Sequence, residues 1–366
     1  MRILIACDKF KGSLTAPEAC SSVEEGILSV KPQISCEILP VADGGDGIGQ
    51  TLTSAQNGIW KTLTVEDALG SPIAAGYGIF DEGRSAVIEM AEASGLAKLD
   101  PDDLSPDKAN TYGTGELIRD AISEGVERII LGLGGSATND GGTGMARALG
   151  WTFLNESEEE LETLPRDLRR LARVIPPADR SLPEVTVACD VANPLLGPNG
   201  CTRIYGPQKG ISPADFETHE NGLSRLVQCL DAEAEAAIHG AGAAGGLGFG
   251  SLVFLGASLT PGFELVADIL DLETAISRAD LVITGEGKLD RQSLEGKAPY
   301  GVARLASSLG KPILSFCGIF GDEGLEDIFG EIREIRDDSL GDLENMERGR
   351  LHLVAAAADW AGSQMV

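Results

Sequence analysis

Residues 1–47, MRILIACDKFKGSLTAPEACSSVEEGILSVKPQISCEILPVADGGDG, decide the fold class. Arg2 to Cys7 is a short continuous apolar run, the pattern of a strand buried on both faces in a parallel sheet. Thr15 to Val30 follows as a helix, with Thr15 at the N-cap, Pro17 in the first turn and Glu18 three residues after the cap. Ser35 to Val41 is a second strand, ending at the loop Ala42-Asp43-Gly44-Gly45-Asp46-Gly47. Strand, helix and strand in this rhythm predict a parallel α/β sheet.

Similar elements return near the C-terminus. Ala279 to Thr284 reads as a strand followed by a Gly-rich loop, Pro299 to Leu309 as a helix, Pro312 to Cys317 as a strand, and Ile332 to Ile335 as a fifth strand. Strands split between the two chain ends predict one doubly wound parallel sheet interrupted by an insertion. The expected units are 1–58 plus 272–366 for the discontinuous domain and 59–271 for an inserted α/β domain of α+β character. Inside the insertion, Trp60 to Val65 and Ile73 to Phe80 read as antiparallel strands, and Arg128 to Leu133 as a strand entering a Gly-rich loop. A chain of 366 residues is long enough for two such cores.

Glycine is in excess: 47 residues, or roughly 13% against about 7% in ordinary proteins. The excess lies in short runs between apolar segments, which favours loops built from backbone to approach a ligand closely. A formal charge of −28 argues against a nucleic-acid partner and against an anionic membrane surface. No run approaches the length of a membrane span, and Met1 leads directly into a strand, so a cytoplasmic protein is expected. Acid gathers at Glu156 to Glu162 and at Asp322 to Glu347, both read as solvated faces. Seven scattered cysteines fit reduced thiols, and three histidines outside the Gly-rich loops give no histidine mechanism.

Against this acidic background, lysines within loops are informative. Cys7-Asp8-Lys9-Phe10-Lys11-Gly12-Ser13 leaves the first strand at the edge where doubly wound sheets bind ligands, and Asp43 and Asp46 leave the second. Thr284-Gly285-Glu286-Gly287-Lys288, with Lys297, leaves a third strand there. In the insertion, six glycines fall among residues 132–144, interleaved with Ser136, Thr138, Asn139 and Asp140, a pattern that suits an anion cradle at a helix start. Gly132-x-Gly134-x-x-Ala137 also meets a loose dinucleotide fingerprint, but Asn139-Asp140 is foreign to it. Neither a Walker A loop nor a serine elbow is present. Asp190 at a strand end and Lys209 in Tyr205-Gly206-Pro207-Gln208-Lys209-Gly210 complete the candidates.

Taken together, these segments resemble the bacterial glycerate kinase family of the first type. The matching stretches are CDKFKGSL (7–14), ADGGDG (42–47), TYGTGELI (111–118), LGGSATNDGGTGMARALG (133–150), NPLLGPNG (193–200), YGPQKG (205–210), GAGAAGGLG (240–248) and TGEGKLDRQSLEGKAP (284–299). Asp46 stands where that family commonly has Glu, and Ile48 where it commonly has Thr. The resemblance implies ATP- and Mg²⁺-dependent phosphorylation of D-glycerate to 2-phosphoglycerate. It also implies a flavodoxin-like domain made from both chain ends and an active site in the cleft between the domains.

On that basis Lys11, Asp43 and Asp190 are the expected catalytic residues, and Asp8, Lys9, Lys11, Ser13, Asp46 and Lys209 the substrate contacts. Gly134, Gly135, Ser136, Thr138, Asn139 and Lys297 are expected on the nucleotide, with Asp190 and Glu286 on the metal. The rival readings are a kinase of another small hydroxy acid, an NAD(P)-dependent oxidoreductase and a non-catalytic sugar-acid sensor. A monomer or homodimer is expected.

Overall fold

The computed structural model describes residues 1–294, 296–321 and 324–363; Asp322 and Glu323, which begin the second acidic segment, lie outside them. In chain order the strands are β1 (Arg2–Ile5), β2 (Ser35–Ile38), β3 (Ile59–Glu66), β4 (Pro72–Phe80), β5 (Ser85–Glu89), β6 (Arg128–Gly132) and β7 (Thr152–Leu154). They continue as β8 (Arg173–Ile175), β9 (Glu184–Ala188), β10 (Ser258–Thr260), β11 (Leu281–Leu289), β12 (Ile313–Phe320) and β13 (Glu331–Glu334). The chain forms two compact units. Met1–Asp43, Gln50–Asn57 and Gly262–Val366 make the first, and Gly44–Gly49 with Gly58–Pro261 make the second. The helix Gly262–Ile269, expected within the insertion, therefore belongs to the first unit.

The first unit is a five-stranded sheet in the order β13-β12-β11-β1-β2, with every neighbouring pair parallel. Renumbered by sequence within the unit, the order is 2-1-3-4-5, the flavodoxin-like winding, with its switch point between β1 and β11. The helix Ala16–Val30 starts as its sequence predicts: Thr15 accepts from the Glu18 amide, and Glu18 accepts from the Thr15 amide at 2.9 Å. Its apolar side and that of the C-terminal helix Gly349–Ser363 close over the sheet, burying Ile3, Ile5, Val23, Ile27, Leu353 and Trp360 in one core.

One sequence expectation changes. The run from Gly285 to Leu289 is not a loop but the second half of β11, paired in register with β12 through Leu289↔Phe320. Its glycines are there for close approach. A Cβ on Gly285 would lie 2.3 Å from the Phe316 carbonyl oxygen, and one on Gly287 would lie 3.1 Å from the Lys11 amide nitrogen. Glu286 thus sits on a strand, held by ladder bonds on both sides of the segment.

The second unit carries a six-stranded mixed sheet, β10-β9-β6-β5-β4-β3. Its β3–β4 and β4–β5 pairs are antiparallel, while β5–β6, β6–β9 and β9–β10 are parallel. A separate core of Leu117, Leu131, Met145, Phe153, Val187 and Phe249 fills it. Residues 156–160 of the first acidic patch are exposed, as expected of a solvated face. All seven cysteines are free thiols.

The packing of the two long helices is testable at Gly26. Alanine there would gain about 1 kcal/mol of helix propensity. Its Cβ, however, would lie 2.4 Å from the Val354 carbonyl oxygen and 2.7 Å from Ala357 Cβ. Overpacking of that kind costs about 1–3 kcal/mol. Gly26→Ala is therefore expected to lower the thermal midpoint; an unchanged or raised midpoint would contradict this close approach.

Candidate functional site

In the first unit the candidate site grows from the C-terminal ends of β1, β2 and β11. Beyond β1 the ladder continues, with the Ala6 amide donating to the Ile283 carbonyl at 2.7 Å and the Asp8 amide to the Gly285 carbonyl at 2.9 Å. Beyond β2 the Val41 amide donates to the Cys7 carbonyl at 3.1 Å. These bonds deliver Asp8, Asp43 and Glu286 to one edge. There the three carboxylates sense one another: burial, and then the charges on Asp43 and Glu286, push the Asp8 carboxyl up to about 7, against the opposing pull of Lys9.

Glu286 is only 6% exposed, and burial raises its pKa too. Its Oε2 accepts from Lys297 Nζ at 3.0 Å. Its Oε1 is buried without a hydrogen-bond partner among the described residues, although the Ser293 hydroxyl is near enough to favour the ionised form. Lys9 Nζ lies 4.0 Å from Asp43 Oδ1. The edge therefore holds three carboxylates and two lysines, much of it desolvated. An arrangement of this kind can accept a proton and orient a charged ligand.

Lys11 and Ser13, expected beside these groups, lie on a neighbouring cavity that Asp8, Lys9, Asp43 and Glu286 do not line. Lys11 is exposed, and the Ser13 hydroxyl donates to the Met346 carbonyl at 2.5 Å. The bond ties the turn to the short helix Asp342–Glu347.

In the second unit the segment after β6 is largely built by its own packing. The helix it enters, Thr143–Ala148, has only six residues, and its start is already taken by Asp140. That carboxylate is fully buried and accepts from the Gly144 amide at 3.0 Å, the Gly142 amide at 3.1 Å, and the Thr111 amide and hydroxyl at 2.9 and 2.8 Å. The helix end expected to face an external anion thus faces an internal one. Several glycines serve contacts: a Cβ on Gly134 or Gly135 would come within 2.8 or 2.7 Å of Asp46 Oδ1, and one on Gly245 within 1.9 Å of the Thr138 carbonyl oxygen.

Lys209, expected as a substrate contact, is 2% exposed and braces the same segment from below. Its Nζ donates to Ser136 Oγ and to the Thr138 carbonyl, both at 2.7 Å. Asn139 Nδ2 donates to Thr202 Oγ1 at 3.0 Å, and Thr138 Oγ1 is buried without a partner among the described residues. Asp190 is exposed just beyond the end of β9, and Asp46 is exposed in its loop.

Sequence reasoning missed Glu89. At the end of the buried strand β5, its carboxylate accepts from the Gly47 and Gly49 amides at 2.7 and 2.8 Å and so fixes the Gly44–Gly49 loop. The signal was available: a lone acid closing the apolar run Ser85-Ala86-Val87-Ile88 needs a buried partner.

Among the described residues no three His, Cys, Asp or Glu side chains form a group that could hold a metal ion by themselves. Mg²⁺ does not demand such a cage; it commonly takes one or two carboxylates and completes its shell with phosphate and water oxygens. The unpartnered Glu286 Oε1 fits that role.

Burial holds the Lys209 amine down to about 8, against 10.5 for an ordinary lysine. Its charged form is therefore the costly one in the folded protein. That cost is fully present below pH 8, fades as pH rises, and is gone above 10.5, so Lys209 favours folding more at high pH. Compared with Lys209→Met, the wild type should gain about 2 kcal/mol of unfolding free energy between pH 8 and pH 10. Parallel denaturant titrations of the two proteins test this; an identical pH dependence would mean that the amine is not desolvated.

The comparisons with known proteins agree with one another. Residues 3–356 match the model of the glycerate kinase family. A glycerate kinase of Halalkalibacterium halodurans is 44% identical over 333 residues, covering 89% of this chain and 87% of that protein. Glycerate 2-kinase of Escherichia coli is 38% identical over 375 residues, covering 98% of this chain and 96% of that one. The crystal structure of a chain described as glycerate kinase 2 from Salmonella typhimurium LT2 superposes with a TM-score of 0.89 at 36% identity, over 99% of this chain and 98% of the other. The chain belongs to the glycerate kinase family.

Proposed function

We propose that the protein phosphorylates the 2-hydroxyl of D-glycerate, with ATP as donor and Mg²⁺ as cofactor. The observation that carries the chemistry is the set of three carboxylates at the switch point of the first unit, where burial, and then the neighbouring negative charges, bring Asp8 to about 7. Family membership supplies the reaction class.

Phosphoryl transfer needs positioning and charge stabilisation more than a covalent nucleophile. Asp8, poised near neutral pH, is well matched to receive the hydroxyl proton; Asp43, beside it and more exposed, is the second candidate. Lys9 and Lys297 counter the charge of the glycerate carboxylate and of the transferring group. Mg²⁺, when bound, would neutralise phosphate charge, and in the first unit Glu286, with its buried Oε1, is its candidate protein ligand. In the second unit, the Gly134–Asn139 backbone and the Ser136 hydroxyl remain the phosphate-contacting candidates. Lys209 acts there as a positioning residue, because its two hydrogen bonds fix Ser136 and the Thr138 carbonyl.

An ATP-coupled assay on D-glycerate, with phosphorus NMR of the product, tests the reading. The expected result is Mg²⁺-dependent formation of 2-phosphoglycerate; product at the 3-position, or no turnover, would overturn it. Asp8→Asn should lower kcat by at least about 10²-fold, as loss of a proton acceptor does. The same change relieves the crowding of like charges, so the thermal midpoint should hold or rise. Near-normal turnover in Asp8→Asn would remove Asp8 from the chemistry.

A further inference from the structure

We propose that the cavity lined by Lys11 and Ser13 holds the purine base and inner phosphate of the nucleotide, an inference that rests on the kinase reading above. The cavity has a volume of about 140 Å³ and lies wholly within the first unit. Gly318 and Ile319 from β12 and Ile335 from just beyond β13 form one wall, on the edge where doubly wound sheets take nucleotides. Phe10, only two residues beyond Asp8, and Met346 form others.

Three observations favour a nucleotide over the small acid. First, the walls are apolar in a way that D-glycerate, a three-carbon hydroxy acid, cannot use. A flat heteroaromatic ring can use them, and it would cover Ile319 and Met346, which are 38% and 43% exposed. Second, the charges at the rim suit a phosphate. Lys11 is exposed there, His352 lines the cavity, and Arg336 reaches it while paired with Asp342 at 2.9 Å. Third, the cavity is built rather than incidental. Ser13 donates to the Met346 carbonyl and so ties the turn after Lys11 to the Asp342–Glu347 helix, and a Cβ on Gly349 would stand 2.1 Å from Ser13 Oγ. Asn345 spends its amide on the Asp337, Leu340 and Gly341 carbonyls, which fixes the loop that leads into this helix. The base would then lie on the Phe10 side of the loop that carries Asp8, and the Gly134–Asn139 segment would have no part in holding it.

The test is calorimetric titration of the full-length protein with Mg-ADP and, separately, with Mg-tripolyphosphate. Ile319→Trp narrows the cavity at a partly exposed position, so the fold should survive. ADP is expected to bind at least about tenfold more weakly to this variant, a change of about 1.4 kcal/mol, with tripolyphosphate affinity and the KM for D-glycerate unchanged. Lys11→Gln should weaken both ligands. Wild-type ADP affinity in an Ile319→Trp protein of unchanged melting would overturn the assignment while leaving the kinase reading intact. Equal weakening of ADP and tripolyphosphate would place only phosphates in the cavity and would also overturn it. Failure of the wild type both to bind ADP and to turn over glycerate would overturn the function itself.

Discussion

The parallel pairing of β1 with β11 joins residues 278 positions apart, Ile3 to Leu281 and Ile5 to Ile283, and the candidate chemistry hangs on that seam. Because the ladder runs on past the end of β1 along β11, Asp8 is fixed by the Gly285 carbonyl one residue before Glu286. Two acids from opposite ends of the sequence are thereby forced together at the sheet's switch point, with Asp43 arriving from β2. Desolvation then does to Asp8 what solvent would prevent. The resulting crowding is unfavourable for stability, so the ladder bonds and the core of Ile3, Ile283 and Phe316 must hold it in place.

Glycine does two different jobs in this protein, and the sequence does not separate them. In β11, Gly285 and Gly287 let neighbouring backbone come close, so that a run resembling a loop is a strand. After β6, Gly134 and Gly135 make room for Asp46, and Gly245 makes room for Thr138. The stretch most suggestive of an anion cradle is thus mostly internal packing, with Asp140 already at the helix start. What remains open to solvent there is narrower: Gly134 and Gly135, followed by a buried run from Ser136 to Asn139 that Lys209 braces.

Much of the fold was legible because local signals agreed. The Thr15–Glu18 capping box, the buried apolar runs of β1 and β12 and the turns between them carry their structure in short range. So was the grouping of Asp8, Lys9, Asp43, Glu286 and Lys297, since each follows or ends a parallel strand and topology brings such positions to one edge. Lys11 and Ser13 line a neighbouring cavity for a physical reason: Ser13, just past the turn at Gly12, bonds to the Asp342–Glu347 helix, whose packing no local pattern announces. Lys209 was expected as a substrate contact in a Gly-rich loop, yet it is enclosed by contacts with residues some seventy positions away. Glu89 was overlooked although a lone acid closing an apolar run signals a buried partner, because that partner is the Gly47 and Gly49 backbone, which no residue type names.

The central claim is that the first unit keeps a carboxyl group poised near neutral pH through enforced proximity and burial. Carbon-13 NMR of the aspartate carboxyl groups in the metal-free protein, followed across pH, measures this directly. The account predicts one resonance with a midpoint near 7 that disappears in Asp8→Asn. Titration of every aspartate within the ordinary acidic range, with none lost near neutrality in that variant, would contradict it.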